Sequence, residues 1–374
     1  MYSETDLTSA IDAGIFTPEA VSRFRSHVAL HRATPSADEE SFRLLTGFND
    51  IFVSIAAILL LVAVGWIGFQ LGGALTGVDL DAVSSPDEFG LPAALGAFGV
   101  AGASWLLGEY FTRRRRMALP SILLLIGFAG GMFMGFAALL GAFAPSVAEQ
   151  LGLIDPEQQK QLAGAGVIVV GVLTAGAAWL HWRRFMVPIT IAVGALAVVS
   201  VAVGAILAAL PDARGALNVM LLAAGVLVFL FAMRWDMSDR ERTTRRSDVA
   251  FWLHLAAAPL IAHPIFHMLG VLNGDISPGI AVLVIALYLA FAFIALAVDR
   301  RALLVSSLVY VLWAMYALFQ QSGAVELAAA LTALVIGSAL LSLSAFWQPM
   351  RRTAVRLLGS FEDRLPPTRQ AAIA

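Results

Sequence analysis

Ten strongly apolar stretches, each about as long as a helix that crosses a lipid bilayer, run through this chain. A helix needs roughly 20 apolar residues to span the hydrocarbon core. Of all residues 59% are hydrophobic and 13% are charged, whereas soluble domains carry roughly 25% charged residues. The sequence therefore predicts an all-α polytopic membrane helix bundle. Its spans are expected at about 49–71, 91–111, 119–144, 162–182, 186–210, 215–234, 249–272, 278–298, 302–320 and 326–347.

The basic residues lie almost wholly on one side of these spans. Short cytoplasmic loops retain Lys and Arg, so their distribution predicts the orientation. With the N-terminus inside, 22 of the 24 basic residues fall in inner segments, and only Lys160 and Arg214 fall outside. We therefore predict that the N-terminus and the C-terminus are cytoplasmic. The inner set is Arg23, Arg25, Arg32, Arg43, Arg113 to Arg116, Arg183, Arg184, Arg234, Arg240, Arg242, Arg245, Arg246, Arg300, Arg301, Arg351, Arg352, Arg356, Arg364 and Arg369.

Composition also predicts the compartment and the partners. A single Lys beside 23 Arg, with heavy use of Ala, Gly, Val and Leu, indicates a GC-rich bacterial genome and hence the bacterial inner membrane. Membrane lipids are expected partners because the arginine clusters can attract anionic headgroups. Nucleic acid is not expected, because the basic runs sit in short loops against the bilayer. The polar first 46 residues do not have the pattern of a signal peptide.

The sequence offers no template for an enzyme. It contains no cysteine, which excludes disulfides, thiol catalysis, iron–sulfur clusters and Cys-ligated zinc. It also contains no HExxH, no GxSxG and no Walker loop. We therefore predict neither a catalytic residue nor a cofactor.

Three segments divide the chain. Residues 1–46 are predicted to form a cytoplasmic helical module, residues 47–348 the membrane bundle, and residues 349–374 a cytoplasmic tail. Within the module, Gly14 should end a first helix, and Thr17 should cap a second helix that begins at Pro18. The outer loops 72–90 and 145–161 are long enough to carry some structure. The inner loop 235–248 is dense in both signs of charge and should be solvated.

Small residues on the spans indicate how the helices pack. Gly127, Gly131 and Gly135 form a seam on one face of the third span, and such seams let helix backbones approach closely. Packing within one chain is the commoner outcome, and a homo-oligomer through glycine-rich helix faces is the alternative.

A six-residue motif occurs in similar form in the second and fourth spans, and we call this similarity the internal echo. The residues 101–106 (AGASWL) resemble the residues 175–180 (AGAAWL), and an arginine pair and a proline follow each. A duplicated two-helix hairpin would produce this pattern. So would the ordinary recurrence of small residues, interfacial Trp and inner arginines in membrane proteins.

The seventh span carries half of the six histidines. His263 and His267 are four residues apart and share a helix face, whereas His254 should point elsewhere. Ionisable groups at membrane depth tend to face the bundle interior or a water-filled cavity. Pro264 cannot donate a backbone hydrogen bond, so a kink there should free the carbonyl of Leu260 near the bilayer middle.

Two interpretations of these histidines stay open. In the first, His263, His267 and Pro264 form a substrate or proton site, which Asp275 and Glu326 complete from the outer ends of neighbouring segments. In the second, neutral imidazoles hydrogen-bond across helices and hold the kink. No metal site is predicted, because zinc would need a third ligand that the sequence does not place.

Other polar or aromatic residues have less specific patterns. Glu109 and His181 close two spans on the inner side, where they can reach headgroups or the inner arginines. The tyrosines Tyr288, Tyr310 and Tyr316 could line a pocket, although packing is the commoner role of aromatic residues at such positions.

One resemblance to a known family follows from the N-terminal module. Leu7, then Ala13-Gly14-Ile15, then Thr17-Pro18-Glu19-Ala20, followed by many spans that end in arginine, resembles bacterial membrane proteins of the domain of unknown function 2157. The resemblance covers the module and the general architecture of the remainder. It implies a bacterial inner-membrane protein. It carries over no catalytic residue, because that family has no established activity.

Three classes of function remain. The first is a transporter of a small solute or ion, linked to protons through the seventh span. The second is a structural or regulatory membrane protein whose residues 1–46 bind a protein partner. The third is an intramembrane enzyme that acts on lipid with His263 or His267 as general base, against which the missing carboxylate partner in the same span counts.

Overall fold

A computed structural model of the chain describes residues 9–24, 48–80, 85–240, 242, 244–271, 277–321, 327–359 and 365–367. Within these residues, ten helices are long and apolar enough to cross a membrane. No strand occurs in the same ranges. The prediction of an all-α, multi-pass membrane bundle is confirmed.

The ten helices overlap the ten predicted spans. A π-helix, Glu109–Arg114, continues α2, and a 3-10 helix, Pro211–Ala216, precedes α6. A shorter helix, α11, follows the last span. The helices are α1 (Phe48–Thr76), α2 (Pro86–Gly108), α3 (Ala118–Gln150), α4 (Pro156–Phe185), α5 (Ile189–Ala209), α6 (Leu217–Met237), α7 (Arg245–Met268), α8 (Pro278–Val298), α9 (Ala302–Gln321), α10 (Ala328–Ala345) and α11 (Trp347–Leu357).

The outer connection predicted over 145–161 carries structure, as expected, and most of it is helical. The helix α3 continues through Pro145 to Gln150, and α4 already begins at Pro156. A proline inside a helix removes one backbone donor, and membrane helices tolerate it because other groups satisfy the freed carbonyl. The chain leaves α3 at Gly152, whose φ of +64° favours glycine. The loop predicted over 72–90 is likewise shortened, because α1 reaches Thr76 and α2 begins at Pro86.

Two short helical segments, 9–12 and 18–24, are described in the N-terminal module. Gly14 follows the first with φ +71°, as expected of a helix-ending glycine. The Thr17 hydroxyl oxygen accepts the backbone N–H of Ala20 at 3.1 Å. Both predicted helix signals are therefore confirmed.

The glycine seam on α3 packs against α2 of the same chain. A Cβ added at Gly131 would lie 2.6 Å from the carbonyl oxygen of Ala97. One added at Gly127 would lie 2.5 Å from Ser104 Oγ, and one at Gly135 would lie 2.6 Å from the Phe98 ring. The prediction of packing within one chain is confirmed for this seam, because any side chain there would push the two helices apart.

Consecutive helices pack side by side except α7 and α8, and α7 also contacts α5 and α9. Because the helices alternate in direction, the arginine clusters gather at one end of the bundle. We call this end the arginine-rich end and the other the opposite end. The helix α11 packs on α8 and α10 at the arginine-rich end.

Candidate functional site

The helix α7 is the most buried of the ten spans. In its most apolar stretch 56% of the residues are buried, whereas the other nine spans range from 6% to 39%. It packs against α5, α6 and α9. A central helix that carries polar side chains is where a membrane protein is expected to hold its functional groups.

His263 and His267 each form a hydrogen bond to a different neighbouring helix. His263 Nδ1 and the Tyr310 hydroxyl of α9 share a hydrogen bond of 2.7 Å. The Asn218 amide of α6 donates to His267 Nδ1 at 3.0 Å. The two imidazole rings are 6.0 Å apart. We call His263, His267, Tyr310 and Asn218 the histidine pair site, which ties α7 to both α6 and α9.

The histidine pair site lies toward the opposite end of the bundle rather than at its middle. His263, Pro264 and His267 occupy the last two turns of α7, which ends at Met268. Both imidazoles are exposed. Because α7 begins at Arg245 and ends at Met268, Pro264 lies close to the terminus of α7 at the opposite end, and the freed carbonyl of Leu260 stays a prediction.

Two of the predicted site residues, Asp275 and Glu326, lie outside the described residues. Tyr310, which the sequence left open between pocket and packing, packs between helices: it bonds His263 and stacks on Phe266 at 4.5 Å. Tyr316 accepts a hydrogen bond from Gln320 on its own helix at 2.7 Å.

A second polar cluster, which the sequence did not predict, is buried at the arginine-rich end. Asp236 of α6 is 1% exposed. One of its carboxylate oxygens accepts Arg300 Nη2 at 2.6 Å, and the other lies 2.9 Å from His254 Nε2 of α7. Arg300 Nη2 also donates to the backbone carbonyl of Ser247 at 3.0 Å. We call Asp236, His254, Arg300 and Ser247 the Asp236 cluster.

A third cluster surrounds the neighbouring residue Asp299, which joins α8 to α9. Its carboxylate accepts Arg242 Nη1 at 2.9 Å and Trp347 Nε1 at 2.8 Å, and it lies 3.4 Å from Arg351 Nε. Asp299 and Arg242 both adopt the left-handed backbone conformation, with φ near +58° and +55°. We call Asp299, Arg242, Trp347 and Arg351 the Asp299 cluster.

The adjacent residues Asp299 and Arg300 carry opposite charges and lie in one turn. Asp299 belongs to the Asp299 cluster and Arg300 to the Asp236 cluster. Asp299 pairs with arginines of α11 and of the connection before α7, while Arg300 pairs with the aspartate of α6. Burial lowers the pKa of the Arg242 and Arg351 guanidinium groups, and the Asp299 carboxylate opposes that shift. Since arginine titrates far above neutral pH, both groups stay charged and need this carboxylate.

The tail after α11 also binds at the arginine-rich end. Arg351 donates to the carbonyl of Pro366 at 2.6 Å and to that of Pro367 at 3.1 Å. Arg240 donates to the carbonyl of Leu365 at 3.1 Å. The tail thus satisfies arginine donors that would otherwise be desolvated without a partner.

The expectation of a solvated loop over 235–248 is wrong for its ends. Asp236 and Ser247 are buried because α6 and α7 extend into that range, and Asp239 is buried just beyond the end of α6. The sequence contains one feature from which the ion pairs of Asp236 and Asp299 could have been predicted. Each aspartate stands at a span end amid arginines, where an acid is expected to pair rather than to face headgroups.

The prediction that Glu109 and His181 reach the inner arginines has a different outcome for each residue. Glu109 accepts Arg184 Nε at 2.6 Å and Arg184 Nη2 at 2.8 Å, so the expected contact with the arginines is confirmed. His181 does not reach them: it is buried, bonds the Thr190 hydroxyl at 3.2 Å, and packs on Phe128 and Phe185. Aromatic side chains of three helices pack around His181, and no local sequence pattern predicts this contact.

Fold and sites together define a multi-pass α-helical membrane protein with a buried charge network at one end and a histidine pair at the other. No family model, no curated protein and no solved structure matches this chain. The resemblance to the domain of unknown function 2157 stays a prediction.

Proposed function

We propose that this protein is a proton-linked transporter of a small solute or ion in the bacterial inner membrane, with both termini in the cytoplasm. The observation that carries the proposal is α7. It is the most buried span, and its three histidines bind side chains of α6 and α9 at two different depths. Ionisable residues inside a membrane bundle are costly and mark ion or substrate pathways.

The two ends of α7 differ as a transporter requires. At the arginine-rich end, the Asp236 cluster joins α6, α7 and the start of α9 through the buried ion pair of Asp236 with Arg300 and the hydrogen bond of Asp236 with His254. At the opposite end, the imidazoles of His263 and His267 are exposed. Alternating access needs a state that is closed at one end and reachable at the other. In this proposal the Asp236 cluster is the closed gate and the histidine pair site is the entry.

A proton on His254 would act directly on that gate. With His254 neutral, Asp236 and Arg300 balance to zero charge. Protonation of His254 leaves one excess positive charge in a buried cluster, which is costly in low dielectric. The added proton would therefore weaken the hold of Arg300 on Asp236 and favour opening of the arginine-rich end.

The test uses purified protein in liposomes that contain the pH-sensitive dye pyranine. Sodium, potassium, and a panel of amino acids and sugars are added one at a time under an imposed pH gradient. We expect at least one solute to cause proton movement with the natural protein. The variants His263→Ala/His267→Ala and His254→Gln should abolish that movement while remaining folded.

His181→Gln is the matched control, because it removes a histidine from α4 rather than α7. It should leave solute-dependent proton movement intact. Transport that survives loss of all three α7 histidines would contradict the proton link, and absence of movement with every solute would count against a transporter.

A second candidate is a structural or regulatory protein whose N-terminal module binds a partner protein. It is supported by two large apolar residues in that module, since Ile15 is 70% exposed and Phe16 is 49% exposed. Cells that carry a protein without residues 1–46 should then have the same phenotype as cells that lack the whole protein, while the ten spans stay folded.

A further inference from the structure

A shallow apolar groove runs between α2 and α3 at the surface that faces lipid. Phe98, Gly102, Trp105 and Leu106 of α2 line one wall, and Phe128 and Met132 of α3 line the other. Its volume is about 470 Å³, inside the roughly 300–1,000 Å³ range of small-ligand sites. The α2 residues recur every three or four positions, so the groove follows the helix axis.

The groove leads toward the arginine-rich end. Glu109 lies one turn beyond Trp105 on the same helix face. It holds Arg184 through two hydrogen bonds and Arg113 at 3.4 Å. Arg114 and Arg116 are also exposed at this level. Six arginines, 113–116, 183 and 184, thus lie with Glu109 at the end of the groove.

The helix changes its winding at this junction. Residues Glu109–Arg114 form a π-helix, whereas the groove residues before them are α-helical. A π-helical turn is rare and occurs frequently at functional sites. The extra residue in the turn re-aims the arginine side chains relative to the face that carries Phe98, Gly102 and Trp105.

We propose that this groove and the arginines at its end bind one anionic phospholipid. An acyl chain would lie along Gly102 and Trp105, and the phosphate would accept hydrogen bonds from Arg113 and its neighbours. The occupant must be apolar along the groove and anionic at its end. A phospholipid of the leaflet at the arginine-rich end meets both requirements, since guanidinium groups bind phosphate through charge-assisted hydrogen bonds. The site does not depend on the transport activity proposed above.

The second copy of the internal echo shows that the motif alone does not make the groove. Trp179 occupies the position that matches Trp105, yet it is 55% exposed and Arg183 lies over its ring at 5.0 Å. Trp105 instead packs on Phe128 at 5.2 Å and on Phe185 at 4.9 Å. The motif supplies one wall of the groove, and the neighbouring helix α3 supplies the other.

The experiment is native mass spectrometry of the purified full-length chain with phosphatidylglycerol or phosphatidylcholine added. We expect the natural protein to retain one phosphatidylglycerol in preference to phosphatidylcholine. Gly102→Leu should lose that lipid, because the new side chain fills the groove. Gly176→Leu is the matched control: a Cβ added at either glycine meets no atom within 4 Å, so both variants should fold.

The headgroup contact is tested separately. Arg113→Gln should weaken retention of phosphatidylglycerol by roughly five-fold, the effect expected of one basic residue near an anionic surface. Arg352→Gln removes the same charge from the exposed face of α11 and should not change retention. Equal retention by the two glycine variants, or equal binding of the two lipids by the natural protein, would overturn the proposal.

Discussion

At the scale of single residues, the strongest constraint is the pairing of Asp236 with Arg300 in a site that excludes water. Asp236 is 1% exposed and Arg300 is 6% exposed. Removal of one partner of a buried ion pair leaves an uncompensated charge in low dielectric. His254 shares the same carboxylate and cannot replace the permanent charge of the guanidinium.

We therefore expect Arg300→Gln and Asp236→Asn each to lower the free energy of unfolding by about 3–5 kcal/mol. The double variant should cost less than the sum of the two, because neither charge is then left alone. Denaturant unfolding in detergent measures all three. The exposed pair of Glu109 and Arg184 is the control, and loss of it should matter little. Strictly additive losses would show that Asp236 and Arg300 are not coupled.

At the scale of elements, the packing of α2 on α3 depends on which glycines face the neighbour. Gly130 and Gly131 are adjacent in α3. A Cβ at Gly130 meets no atom within 4 Å, whereas one at Gly131 would lie 2.6 Å from the carbonyl oxygen of Ala97 and 2.9 Å from the backbone nitrogen of Ala101.

Gly130→Ala and Gly131→Ala should consequently have opposite effects on stability. Alanine favours a helix over glycine by about 1 kcal/mol, so Gly130→Ala should raise the unfolding midpoint slightly. Gly131→Ala should lower the free energy of unfolding by about 1–3 kcal/mol, because it forces α2 and α3 apart. Thermal unfolding in detergent measures both. Similar midpoints for the two variants would contradict the close contact between α2 and α3.

The element scale also shows why α7 holds the candidate site. Its two polar sites are separated by nine residues, from His254 to His263, or about 14 Å along the helix. The same helix packs on α5, α6 and α9, and its histidines bond two of these: His254 and His267 meet partners on α6, and His263 meets Tyr310 of α9. Helical spacing predicted that His254 points away from His263, and the two histidines do bond different helices, at Asp236 of α6 and Tyr310 of α9.

At the scale of the whole molecule, the orientation predicted by the arginines can be tested directly. The natural chain has no cysteine, so a single introduced thiol reports its own side of the membrane. Ile154→Cys lies between α3 and α4 at the opposite end, where Ile154 is 89% exposed. Arg114→Cys lies at the arginine-rich end.

In intact cells, a membrane-impermeant maleimide should label Ile154→Cys and should label Arg114→Cys only after permeabilisation. The reason is that short cytoplasmic loops retain basic residues. Detergent-solubilised protein, in which both thiols should react, is the control for accessibility. Labelling of Arg114→Cys in intact cells would reverse the proposed orientation.

Most of the fold could be predicted from the sequence, because hydrophobic length fixes each span without reference to the others. The N-terminal cap at Thr17 and the stop at Gly14 are local as well, since neighbouring residues alone satisfy the backbone groups there. The extension of α3 beyond residue 144 could not be predicted, because a proline usually ends a helix and Pro145 is tolerated inside α3.

The candidate site was predictable only in part. His263 and His267 stand out as ionisable residues within an apolar run, yet their partners Tyr310 and Asn218 come from other helices. The arginines near Asp236 and Asp299 in sequence indicate that each acid forms an ion pair, but the arginines that actually pair with them are distant in the chain.

The sequence by itself determined the number of spans and the gathering of arginine on one side, because both follow from the transfer of each segment between water and lipid. Only the tertiary structure decided which of those arginines face solvent and which, like Arg300 and Arg351, are buried against aspartate. The physical reason is that the cost of burying a charge depends on the distance to its counter-charge, and that distance is set when separate helices pack together.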